Sequence, residues 1–91
     1  MSKKNTRNAL DTSLSYAVIG LDLAKADCAV AAVPCSDDDL GLIDRMDYES
    51  LFEQAEKLGP TLFAMEPCCG YSQISLRLQN MGHEVKVISG H

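Results

Sequence analysis

The chain is short of positive charge. Its 91 residues carry 8 Lys and Arg against 13 Asp and Glu, a formal net charge of −5. A surface of that sign is a poor match for DNA, because backbone phosphates are held by Lys and Arg. Long apolar runs are missing too. No stretch approaches the ~20 residues needed to span a membrane, and the N-terminus lacks the apolar segment of a signal peptide. These absences predict a cytoplasmic protein with no membrane partner. Zinc spacing is absent: no C-x-x-C pair is followed by a second pair. Without a secretory signal, Cys28, Cys35, Cys68 and Cys69 read as free thiols. No internal repeat or second domain is visible, and a chain of this length buries about 60–70% of its extended surface.

What charge there is lies unevenly. Lys3, Lys4 and Arg7 make the start basic, while acids crowd Asp37 to Glu66. Residues 1–14 are polar and without a sustained period, so they read as a flexible basic leader, with contact to nucleic acid as the sharper alternative. Residues 15–91 read as the folded part. Tyr16 to Leu23 is apolar on both faces, as in a central strand of a covered sheet. Ala24 to Asp27 fits a tight reversal, Cys28 to Val33 a second strand that Pro34 ends, and Ser36 to Gly41 a turn. Leu42 to Met46 makes a third short strand.

Asp47 offers an N-cap to a helix whose Tyr48, Leu51, Phe52, Ala55 and Leu58 share one face, stopped by Gly59-Pro60. Thr61 to Glu66 is a fourth strand. Ser72 is a plausible cap for a second helix lined by Tyr71, Ile74, Leu78 and Met81 and closed by Gly82. His83 falls in an expected exposed turn, and Glu84 to Ser89 is a fifth strand. The order β-β-β-α-β-α-β predicts an α/β fold with a mixed five-stranded sheet. Three short strands form an antiparallel meander, and a strand-helix-strand unit adds parallel neighbours.

Two acids interrupt this pattern. Asp22 lies near the end of the first strand and Glu66 ends the fourth. If those strands are parallel neighbours, both acids emerge at one carboxyl edge, where open α/β sheets bind ligands. Carboxylates brought together repel unless a cation separates them. Mg²⁺ or Mn²⁺ suits two carboxylates, water and substrate phosphate, and paired ions can assist phosphodiester chemistry. The plainer alternative is that each acid caps a strand or pairs with a lysine such as Lys25. Lys25 could equally contact phosphate. Gly70 would let a ligand approach the backbone closely, and the helix after it presents free N–H groups. Tyr71 could stack on a sugar or base, although its apolar helical position favours core packing.

These residues resemble the N-terminal domain of the DEDD transposases, the insertion-sequence recombinases related to the Piv and MooV DNA invertases. Gly20-Leu21-Asp22-Leu23-Ala24-Lys25 matches the family's first motif. Met65-Glu66-Pro67-Cys68-Cys69-Gly70-Tyr71 matches the second, with one residue more between Glu66 and Gly70 than some forms of that motif have. Leu78 to Val85 matches a helix ending L-x-x-x-G-H-x-V. The resemblance spans residues 18–89. It implies a ribonuclease H-like fold of the RuvC type and a metal-dependent site of four acids that cleaves and transfers DNA strands. Asp22 matches the first acid and Glu66 the second. The third and fourth normally follow the fifth strand and have no counterpart here, nor does the family's serine domain. A truncated polypeptide, inactive alone, is therefore expected.

Implied partners are DNA, with a guide RNA left open, and a second copy or a full-length transposase. The alternatives are a non-catalytic binding or dimerisation module retained from a transposase, and an actin-like nucleotide-binding fragment. The last would need Gly with Thr or Ser after the strand, where Ala24 and Lys25 stand.

Overall fold

Alternation along the strands buries one side of a five-stranded sheet. The structure, a computed structural model, describes residues 10–36, 41–67 and 70–88. The expected aspartate turn and Cys68, Cys69 and Ser89 lie outside them. In chain order the elements are β1 (Tyr16–Leu23), β2 (Asp27–Pro34), β3 (Gly41–Asp47), α1 (Tyr48–Lys57), β4 (Leu62–Met65), α2 (Tyr71–Asn80) and β5 (Glu84–Val87). The fold is mixed α/β, and the strand order across the sheet is β3-β2-β1-β4-β5. β1 pairs antiparallel with β2 and parallel with β4; β2 and β3 are antiparallel, and β4 and β5 parallel. β1 is therefore central, as its apolar run implies. No helix among the described residues is long and apolar enough to cross a membrane.

Ile19, Leu21, Cys28, Val30, Ile43, Phe63 and Met65 point to the same side, where Leu51, Phe52, Ala55, Ile74 and Leu78 of the two helices meet them in one cluster. α1 packs on β3 and α2 on β5, and the helices touch each other. Gly20, Ala29, Ala31 and Ala64 lie on the opposite face, which neither helix covers, with Val18, Val33 and Lys86 farther out on it. The apolar run in β1 is thus covered by helices on one side only. Small side chains on the second side produced the two-faced pattern in the sequence.

The helix ends follow local chemistry. Asp47 accepts the Ser50 N–H at 2.8 Å and caps α1. α2 departs from the sequence expectation. Its N-cap is Gly70 at φ 86°, with no side-chain cap, and Ser72 lies inside the first turn. Glycine takes the left-handed region without the Cβ clash that other residues meet, so the turn is set there. At the far end the Gly82 N–H donates to Gln79 O (3.0 Å) and the His83 N–H to Leu78 O (3.1 Å). With Gly82 at φ 98°, this is a Schellman ending.

That ending delivers His83 into the interior, not to an exposed turn. Its Nδ1 accepts the Thr61 N–H at 3.1 Å, and its Nε2 lies 2.8 Å from Ala55 O. Because Nδ1 accepts, the ring proton belongs on Nε2, which donates to the Ala55 carbonyl. One ring satisfies a carbonyl near the end of α1 and the amide that opens β4. It also meets Phe63 edge-on at 5.0 Å. Ahead of β1, Leu10 is buried and donates its N–H to Gln54 Oε1 at 2.7 Å.

Candidate functional site

The ends of β1 and β4 bring the two strand acids to one cavity. Leu21 and Met65 are register partners in the parallel pair. Asp22 follows the first and Glu66 the second, one residue beyond the printed end of β4. Side chains alternate along a strand, so both acids leave on the side opposite Leu21 and Met65, the face without helices. They line a cavity of about 700 Å³ with Gly20, Ala29, Ala31 and Ala64 as much of its wall. Both are exposed.

Among the described residues, no Lys, Arg or His lines this cavity. Lys25 makes no ion pair with Asp22; the ion pair between described residues joins Arg45 to Asp27 at 2.9 Å, on the edge-strand side. The ion-pair alternative thus lacks its lysine at Asp22. Two exposed oxygen donors, with no basic side chain among the described lining residues, have the chemistry of ligands for a hard divalent ion that keeps several waters. Among the described residues no three His, Cys, Asp or Glu side chains group to hold a metal. Cys28 is not a competing ligand. It is buried on the helix side, and burial, reinforced by Asp27 and Asp47, pushes its thiol up to about 11.

The other candidates sit around the same edge but on the helix side. Lys25 and Gly70 line a second cavity, of about 270 Å³, with Gln73 and Arg77. The β1–β2 reversal that carries Lys25 is held in two ways. The Ala24 N–H donates to Asp27 O at 2.9 Å. The Tyr48 hydroxyl accepts that same Ala24 N–H at 3.1 Å and donates to the Ala24 carbonyl. Tyr71 is absent from the cavity lining and packs, half-buried, against the core.

Sequence reasoning passed over Arg77 and the hydroxyl of Tyr48. Gly70, Gln73 and Arg77 recur at i, i+3 and i+7, a helical spacing that could have flagged the first. Tyr48 reads locally as an apolar face residue, and nothing local announces its bond to a turn 24 residues earlier. No family model, curated protein or solved structure matches the chain.

Proposed function

We propose that this chain is the N-terminal part of a ribonuclease H-like, RuvC-type catalytic domain from a DEDD transposase. In that reading its full-length family cleaves and transfers DNA strands with Mg²⁺ or Mn²⁺. The observation that carries the proposal is the shared cavity of Asp22 and Glu66, at the carboxyl ends of adjacent parallel strands and lined by no basic residue among those described. The motifs around these acids, and a strand order with an antiparallel meander followed by parallel strands, support it.

Asp22 and Glu66 would hold the ion. When bound, the metal supplies charge neutralisation at a phosphodiester. The chain's own part is to present two solvated carboxylates from a rigid sheet edge. Two of the four implied acids stand within these 91 residues, so binding is weak and strand transfer requires the others. The protein acts on DNA in the cytoplasm in this reading.

The test is a Mn²⁺ titration of the full chain. Asp22→Asn and Glu66→Gln should each weaken affinity about tenfold or more, ~1.4 kcal/mol, with folding unchanged because both sites are exposed. Equal affinity in wild type and both variants refutes the metal site.

A second reading has one observation behind it. The sheet face floored by Gly20, Ala29, Ala31 and Ala64 carries no described helix, and Val33 and Ile88 are exposed. A non-catalytic module that buries this face against itself or a full-length transposase would use it. That module requires no metal, and the same titration separates the two.

A further inference from the structure

The helix-side cavity has the opposite character from the carboxylate cavity. Its lining is Ala24, Lys25, Tyr48, Phe52, Gly70, Gln73, Ile74 and Arg77. That set holds two cations and no acid, in a chain with 13 acids and 8 Lys and Arg. Neither cation is neutralised by a carboxylate among the described residues.

Both cations arrive on supported elements. Lys25 projects from the reversal that the Tyr48 hydroxyl clamps on both sides of Ala24. Arg77 lies with its guanidinium 4.0 Å from the centre of the Phe52 ring. Stacking on a ring face leaves the edge of the guanidinium fork free to donate. Gln73 adds a neutral polar side chain one turn before Arg77. The first turn of α2, which has no side-chain cap, adds N–H groups and the positive end of a ten-residue helix. The helix end strengthens the case, and the two converging cations carry it. Glu49, Glu53 and Glu56 border Arg77 in a neighbouring groove, but none pairs with it.

We propose that this cavity anchors a backbone phosphate of a nucleic-acid strand through Lys25, Gln73 and Arg77. The proposal deepens the function given above and rests on it for the identity of the ligand. It adds Arg77 as a binding residue and places the anchor on the helix side of the sheet edge, with the acid pair on the other. A planar fork and a lysine ammonium are complementary to phosphate oxygens. A backbone phosphodiester and free inorganic phosphate share that chemistry, so the experiment must tell them apart.

The full chain is titrated with a fluorescent single-stranded DNA oligonucleotide, read by anisotropy across a salt series in EDTA. Inorganic phosphate serves as competitor. Each phosphate contact contributes about 0.7 to the slope of log affinity against log salt for a single strand. Lys25→Gln and Arg77→Gln should each lower affinity, and the double variant, which leaves that one phosphate without a cation, should lower the slope by about 0.7. Arg77→Lys keeps the charge without the stacked fork and should hold the slope near wild type. That variant separates charge loss from damage to the Phe52 contact. Lys57→Gln, at the exposed far end of α1, should leave the slope unchanged. A double variant with wild-type affinity and slope overturns the anchor. So does a wild type that binds inorganic phosphate but no oligonucleotide. The two proposals fail separately. Slope changes with no Asp22-dependent Mn²⁺ binding leave the anchor without the metal site, and the converse leaves the metal site without the anchor.

Discussion

Replacing His83 by Ala should be among the most damaging single changes in the chain. The ring is 5% exposed and serves two main-chain groups that water does not reach easily. Thr61, whose N–H it accepts, is itself buried, and a buried donor left without a partner costs about 1–3 kcal/mol. The Ala55 carbonyl suffers less, because it also accepts the Leu58 N–H at 3.2 Å. The lost edge contact with Phe63 adds about 0.5–1.5 kcal/mol. The expected loss is therefore about 2–4 kcal/mol, against a total of only ~5–14 kcal/mol for a domain of this length. Urea unfolding followed by circular dichroism should show a lower midpoint with an unchanged m-value. Thermal unfolding should fall by at least ~10 °C. His83→Phe keeps the ring volume and its approach to Phe63 but neither hydrogen bond, so it should still lose at least ~1 kcal/mol. Wild-type stability in His83→Phe would refute the hydrogen-bond reasoning, and a loss under ~0.5 kcal/mol in His83→Ala would refute all of it.

Cys28 and Cys35 should differ sharply in reactivity. At pH 8 iodoacetamide should modify exposed Cys35 and spare buried Cys28 in a peptide map; equal labelling would contradict the burial. The folded-state value of Cys28, about 11 against an ordinary 9.0, also sets a sign. The folded protein holds that proton more tightly, so the contribution is whole below pH 9 and is lost as pH rises toward 11, which urea midpoints across that range will register. Asp47 works in the opposite direction. Its hydrogen bond from Ser50 holds its carboxyl below the usual range, so its contribution is present above that range and is lost as pH falls through the lowered value. Asp47→Asn, which keeps a cap without the charge, should flatten the acid limb of the urea-midpoint curve, and an unchanged limb would exclude Asp47 as its source.

The order of elements was legible because each carries its own signal. Tyr48 to Leu58 shows one apolar face, Gly59-Pro60 stops it, and the short alternating runs on either side have no helical period. The parallel pairing of β4 with β5 followed from the helix between them; that of β1 with β4, on which the meeting of Asp22 and Glu66 at one cavity depends, enters the sequence reading only as a condition. Long-range polar contacts were not legible. Nothing beside His83 says that its ring will meet the Ala55 carbonyl, 28 residues earlier, because that depends on where α1 ends and how α2 returns. The start of α2 departs from the sequence pattern for a different reason. Serine favours caps by side-chain bonding, but Gly70 alone could take φ 86° at that point, and backbone freedom outranked capping chemistry.

The carboxylate inside an apolar strand also has a physical explanation. An acid in a strand sandwiched by helices would sit in a medium that penalises its charge severely. Asp22 escapes that penalty because its side of β1 carries no described helix and it is exposed. Its neighbours on that side, Gly20, Ala29, Ala31 and Ala64, are small enough to leave a cavity of about 700 Å³ beside it. A Cβ added at Gly20 would meet only the Ala31 carbonyl oxygen, at 3.8 Å. Space, then, is not what makes position 20 glycine, and the cavity is a property of the whole small-residue face. That face lets Asp22 and Glu66 stay hydrated at the end of a rigid central strand pair. A hard cation that gives up its waters reluctantly demands such a setting, and a sealed interior would deny it.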